Sequence, residues 1–152
     1  MLAVGTRIPR WADEACREFA GRLGPRLRCD ILEIEAEPRT KGRSVAQVQD
    51  AEAKRLLQRV PSGARRVALD ERGRSMRSRE FAQLLDSWSS EARETVFLIG
   101  GPDGLAVAVT ESADLLLQIS SFTLPHALAR VVLLEQLYRA RSILDGHPYH
   151  RE

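Results

Sequence analysis

The residues most able to do chemistry lie in the last third of the chain. Residues 95–140 read TVFLIGGPDGLAVAVTESADLLLQISSFTLPHALARVVLLEQLYRA. An apolar strand over 95–99 runs into Gly100-Gly101-Pro102-Asp103-Gly104. After a helix and a second short strand comes SSFTLP over 120–125, which opens a long helix at Pro125 and His126. Glycines after a strand let backbone approach a ligand and adopt positive φ, although the same residues suit an ordinary tight turn. The run is no dinucleotide fingerprint, because no helix starts inside a G-x-G-x-x-G and Pro102 removes an N–H. It is no Walker A loop either, since no Lys-Ser/Thr follows. SSFTLP suits a capped strand-to-helix turn, with Pro at the first helical position. Its main-chain groups are equally able to hold a small polar ligand. Two strand-to-loop junctions this close in sequence fit the ligand-binding edge of an open α/β sheet.

All three histidines are late: His126, His147 and His150. His147-x-x-His150 has no further ligand partners, so no metal site is expected. The tail HPYHRE ends the chain with an aromatic ring, an imidazole and a guanidinium, a composition that suits stacking on a base and contacting phosphate. Glu135 and Arg139 are i,i+4 partners on the last helix and also read as a surface pair. The chain has no Gly-x-Ser-x-Gly, no Cys-His pair and no metal-ligand cluster. Cys16 and Cys29 lack His or Cys at metal spacing and read as reduced structural thiols.

Alternating elements must position these residues. A strand over 2–4 ends at Gly5, and a helix runs from Pro9 to about Leu23, with Trp11, Ala15 and Phe19 facing the core. A strand spans 31–35, with Leu32 and Ile34 on one side. Residues 37–43, EPRTKGR, form a basic loop. Ser44 caps a helix to about Val60. Residues 66–70 are a strand and 71–77, ERGRSMR, a second basic loop. Ser78 caps a helix through Trp88. The last helix runs over 125–144 and is apolar nearly all round, so it is buried on more than one side, part of it against a second subunit. The resulting β-α-β-α-β-α-β-α-β-α order predicts an α/β fold, a mostly parallel sheet covered by helices on both faces. With 152 residues, no repeat and no linker, one domain over 1–152 is expected.

No run of 18 apolar residues is present and no signal peptide is recognisable, so the expected location is the cytoplasm, with no membrane partner. The net charge of +2 hides an asymmetry: residues 1–79 hold 18 Lys+Arg against 11 Asp+Glu, and 80–152 hold 5 against 10. Of the 23 basic residues 21 are Arg. GC-rich codon usage accounts for such a bias, and guanidinium forks also match phosphate oxygens.

Four segments together are more specific than any one of them. ALDERG at 68–73, FLIGGPDGL at 97–105, TLPHALARVVLLEQLYRA at 123–140 and the terminal HPYHRE resemble the SPOUT-class ribosomal large subunit methyltransferase H family, over nearly the whole chain from AVGT onward. The chain before AVGT is shorter than is usual there, which suggests an upstream start, and Ala127 stands where Pro or Gln is common. The resemblance implies an α/β sheet whose C-terminal part forms a trefoil knot, a homodimer, and methyl transfer from S-adenosylmethionine to N3 of a pseudouridine in 23S rRNA of the assembled ribosome. Carried over by position, the cofactor contacts would be Leu69, Gly101, Ser120, Ser121, Phe122, Thr123, Leu124 and Pro125, with Gly100 in the same loop. Leu69, Phe122 and Leu124 would flank the adenine.

Such chemistry needs neither metal nor nucleophile. The N3 proton must leave before or during in-line attack, an imidazole can accept it, and a cation can stabilise the imide anion. The candidates are His126, Arg139, Tyr149, His150 and Arg151, among which the sequence does not choose the base. In a dimer, the tail of one subunit would reach the site of the other. Two other readings compete: a non-catalytic RNA- or ribosome-binding protein that keeps the fold, and a flavodoxin-like nucleotide-binding module.

Overall fold

The computed structural model describes residues 1–24, 27–40 and 42–150, with His150 described by its backbone alone. Among the described residues five strands and five helices alternate: β1 (Leu2–Val4), α1 (Arg10–Arg22), β2 (Leu32–Ile34), α2 (Val45–Gln58), β3 (Arg65–Ser75), α3 (Ser78–Ser89), β4 (Thr95–Ile99), α4 (Val107–Glu111), β5 (Leu115–Gln118) and α5 (His126–Leu144). A 3-10 turn, Pro148–His150, follows. This is the element order that the periodicity predicts.

The five strands form one sheet in the order β2-β1-β4-β3-β5, and every pairing is parallel. A flavodoxin-like sheet runs 2-1-3-4-5. Here β4 lies inside β3, so the chain leaving β4 must cross β3 to reach β5. The flavodoxin-like reading is therefore corrected by topology.

Alternation along the strands divides the core. Ala3, Val67, Phe97 and Ile99 face α1, α3 and α5, where they pack with Cys16, Phe81, Leu133, Leu134 and Leu137. Leu2, Val4, Ala68, Val96 and Leu98 face the other way, onto Ala53, Leu56 and Val109 of α2 and α4. Both faces are apolar because both are covered, as a parallel sheet requires. Helix α5 packs against both α1 and α3, which explains why its apolar surface is wider than one stripe. Cys16 and Cys29 are free thiols, and burial raises the pKa of both.

Several local expectations need correction. Trp11 does not face the core: it is 54% exposed, and Ala12 and Cys16 are the buried residues of α1. The inward stripe is thus displaced by one position, although Phe19 still packs beside Tyr138, with centroids 6.3 Å apart. Leu32 lies on the edge strand β2 and is exposed, while Ile34 is buried. The second basic stretch is not a loop throughout, because β3 continues to Ser75. Leu69 and Arg74 both pair with Leu117, so the intervening residues bulge. Gly73 permits this: a Cβ there would lie 2.7 Å from the backbone of Leu116 and Leu117.

The helix starts show what capping side chains can do. Ser44 accepts from the Gln47 N–H at 3.2 Å and Gln47 returns the bond to the Ser44 N–H at 3.0 Å, a reciprocal capping box. For α3 the cap position is Arg77, not Ser78, and the Arg77 N–H donates to Glu80 at 2.8 Å. The Ser78 hydroxyl instead donates to Gln136 of α5 at 2.7 Å. Pro125 and Pro9 are likewise the residues just before their helices rather than the first helical ones.

Candidate functional site

The bulge within β3 and the loops that leave the C-terminal ends of β4 and β5 converge on one cavity of about 830 Å³. Leu69, Asp70, Glu71 and Arg72 form one wall, residues 99–105 a second, and residues 118–126 without Ser121 a third. Such cavities at strand C-termini are where open α/β sheets hold ligands, and this volume lies in the range for small-molecule sites. Of the expected cofactor contacts, Leu69, Gly100, Gly101, Ser120, Phe122, Thr123, Leu124 and Pro125 all line the cavity. Ser121 is exposed and is not among the lining residues.

The glycine loop owes its glycines to its own folding. Gly101 and Gly104 pair across a tight antiparallel bridge, with the Gly104 N–H donating to the Gly101 carbonyl at 3.0 Å. Gly104 has φ +82°. A Cβ on Gly100 would stand 2.5 Å from the Gly104 carbonyl oxygen, which is backbone and cannot yield. A Cβ on Gly101 would meet Glu52 Oε2 at 3.1 Å and Val4 Cγ1 at 3.2 Å. These crowding contacts are all with protein, so close packing within the chain by itself accounts for both residues.

Helix α2 holds this loop from behind. Gln49 donates to the Asp103 carbonyl at 2.6 Å, and Arg39 pairs with the Asp103 carboxylate at 2.7 Å. Glu52 is buried and accepts the Glu37 N–H at 3.0 Å. Burial, and then the charge of Asp103, raise the Glu52 pKa above the ordinary carboxyl value.

The loop after β5 turns on a local bond, from the Phe122 N–H to the Ser120 hydroxyl at 2.9 Å. It leaves Phe122 81% exposed, the most open large apolar side chain described. His126, in the first turn of α5, lines the cavity and is half-buried. Burial, reinforced by the Arg130 charge, lowers its pKa, so the imidazole favours its neutral form.

Sequence reasoning missed Arg130. It sits one turn beyond His126 and is fully buried. Its guanidinium donates to the carbonyls of Val4 at 2.8 Å and Gly5 at 2.6 Å, and pairs with Glu33 at 2.8 Å. It thereby ties the end of β1 and the edge strand β2 to the start of α5. Its Nε has no hydrogen-bond partner among the described residues. The sequence signal was a lone Arg within an apolar helix segment.

Arg139 and Tyr149 stand apart from this cavity. Arg139 pairs with Glu135 at 2.5 Å, and its guanidinium lies 5.0 Å from the centre of the Tyr149 ring. The Tyr149 hydroxyl donates to Glu135 at 3.2 Å, and its ring meets Tyr138 edge-on at 4.6 Å. Burial and Glu135 raise the Tyr149 pKa. None of these residues lines the cavity that holds His126. The His150 side chain and Arg151 lie outside the described residues. Among the described residues, no cluster of three or more His, Cys, Asp or Glu could hold a metal ion, and no helix is long and apolar enough to cross a membrane.

Comparison with known proteins agrees with this architecture. Residues 1–150 match the family described as predicted SPOUT methyltransferase. A protein of Bordetella petrii named ribosomal RNA large subunit methyltransferase H is 48% identical over 99% of this chain and 97% of its own length. One of Neisseria meningitidis serogroup C with the same name is 47% identical over 100% of this chain and 97% of its own. A probable methylase family protein from Haemophilus influenzae Rd KW20 superposes with a TM-score of 0.55 at 12% identity, covering 99% of this chain and 68% of that one, a likeness of fold. The chain belongs to the SPOUT methyltransferase family, alongside relatives named ribosomal RNA large subunit methyltransferase H.

Proposed function

We propose that the protein transfers a methyl group from S-adenosylmethionine to N3 of a pseudouridine in 23S rRNA, acting as a homodimer on the assembled ribosome in the cytoplasm. The observation that carries this reading is the convergence of the three expected segments, Leu69, Gly100-Gly101 and the run from Ser120 to Pro125, on one cavity. Its walls fit this cosubstrate: Leu69, Phe122 and Leu124 offer apolar surface for an adenine, and the loops offer main-chain groups for its polar edge. When bound, S-adenosylmethionine supplies an electrophilic methyl already activated by its sulfonium. The C-terminal part is read as the trefoil knot of the family, in keeping with a chain that crosses β3 between β4 and β5.

The chain's own residues then orient and deprotonate. Holding the acceptor in line supplies much of the rate by proximity. His126, biased toward its neutral form by burial and by Arg130, lines the cavity and is the proton acceptor in this reading; of the carboxylates that also line it, Asp70 and Asp103 are paired with Arg72 and Arg39. Arg139 and the tail belong to the site of the partner subunit in this reading, because within one chain Arg139 stands far along α5 from His126 and Tyr149 is bonded to Glu135 beside it. The test is methyl transfer to ribosomes purified from a strain that lacks the enzyme, with mass mapping of the modified nucleotide. A methyl gain at one pseudouridine is expected; an unmodified pseudouridine overturns the reading.

A further inference from the structure

The sequence holds two basic stretches, and the structure separates their roles. In residues 37–43 the described arginines are engaged within the protein. Arg39 pairs with Asp103, and Arg43 with Glu37, which also takes Arg55. These cations brace the glycine loop and α2. The second stretch differs at Arg74 and Arg77, which have no such carboxylate among the described residues. From Arg72 to Arg79 the chain reads RGRSMRSR, four arginines in eight residues with no carboxylate among them. Arg72, Arg74, Arg77 and Arg79 are all exposed.

The stretch is also firmly placed. Arg74 and Ser75 pair with Leu117 and Gln118 of β5, the strand that runs directly into the third wall of the cavity. Gln118 donates to the Glu71 carbonyl at 2.8 Å, and Ser78 is bonded to α5 through Gln136. Arg72 itself lines the cavity rim. The nearby carboxylates are accounted for: Asp70 forks onto Arg72 at 3.0 Å, Glu80 caps α3 by accepting the Arg77 N–H, and Glu71 is exposed beside the bulge. Neither Arg74 nor Arg77 forms an ion pair with a carboxylate among the described residues.

We infer that the arginine ridge from Arg72 to Arg79 is the surface that binds RNA backbone phosphates flanking the nucleotide at the cavity. This rests on the methyltransferase reading and names the face that the RNA meets. A strand end that is hydrogen-bonded to β5 and runs into the start of α3 suits this task, since guanidinium forks match phosphate oxygens and a fixed ridge loses little on binding. Each neutralised phosphate releases counterions, so the ridge must appear in the salt dependence of binding.

The test compares wild type, R74Q/R77Q and R74K/R77K, in co-sedimentation with unmethylated ribosomes between 50 and 200 mM KCl, and by calorimetry with S-adenosylmethionine. If both positions meet phosphate, R74Q/R77Q lowers the log–log salt slope by about 1.5, R74K/R77K keeps it, and S-adenosylmethionine affinity stays within about twofold. An unchanged slope overturns the ridge, as does an equal loss in both assays. Methylation of the same ribosomes by the wild type is scored separately, so failure of the ridge is distinguishable from failure of the methyltransferase reading.

Discussion

His126 and Arg139 lie on the same helix, thirteen residues apart. At about 1.5 Å of rise per residue that is roughly 20 Å of axis, too far for both side chains to reach one reacting atom. Tyr149 stays with Arg139, through Glu135. One chain thus holds a cavity with an imidazole at one end of α5 and an Arg–Glu–Tyr group at the other. If the second group serves the partner's cavity, two defective chains should complement one another. Co-expression of Leu124→Arg with a chain ending at Pro148 should restore about a quarter of wild-type methylation, since half of the dimers are mixed and each holds one intact site. Each variant alone should be inactive, and the truncated chain should still bind S-adenosylmethionine in calorimetry. Full activity of the truncated chain would sink the idea.

The glycine loop makes a graded prediction. Gly100→Ala places a methyl against the Gly104 carbonyl, where only backbone movement relieves the clash. A cost of about 1–3 kcal/mol is expected, with loss of cosubstrate affinity as the loop shifts. Gly101→Ala meets the Glu52 carboxylate and a Val4 methyl, both side chains, and should be the milder change. Urea denaturation ranks the two, and the reverse order would show that the loop relaxes elsewhere.

Much of this was legible in the sequence, for reasons that differ by element. Alternating apolar runs broken by Gly24-Pro25 and Pro61-Ser62-Gly63 expose the order of strands and helices, because each break has its own backbone cause. The junctions after β4 and β5 were readable as site candidates for the same reason. The extension of β3 was not. A polar, arginine-rich run with a central Gly shows no alternation, and its strand character comes from pairing with β5, a tertiary fact. Trp11 misled because a large aromatic at helical spacing predicts burial, whereas α1 buries the small Ala12 and Cys16 instead. The roles of the buried charges Arg130 and Glu52 were not legible, even where a lone Arg in an apolar helix marked the first, since they depend on backbone carbonyls and an N–H brought from distant segments.

Glu52 gives a prediction about pH. A carboxyl whose folded pKa is raised binds its proton more tightly in the folded state than in the unfolded one. Its ionisation therefore costs stability as pH rises from the ordinary carboxyl range through the raised value. Glu52→Gln removes that ionisation and keeps an oxygen to accept the Glu37 N–H. The variant should be more stable than wild type at pH 7, with the gain vanishing below the ordinary carboxyl pKa. Thermal unfolding at pH 7 and near pH 4 measures it, and a loss of stability at pH 7 would mean that the ionised carboxylate has an uncounted partner.

Arg130 offers the sharpest test of how the fold sets up the site. Its guanidinium satisfies two carbonyls at the end of β1 and pairs with Glu33, so Arg130→Met leaves three acceptors without their donor. Glu33 remains partly solvated at 35% exposure, which places the cost near the lower end for a broken buried pair, about 3 kcal/mol. In a chain of this size that lowers Tm by roughly 10 °C. The same change removes a positive charge beside His126, one of the two causes of its lowered pKa. The His126 pKa of the variant should therefore move up toward 6.5, the ordinary value, and any acid limb of the methylation rate that follows His126 should move up with it. NMR titration of the His126 ring, run below the variant's lowered Tm, separates this electrostatic effect from simple unfolding. An unmoved pKa would leave burial as the only cause and confine Arg130 to its structural task.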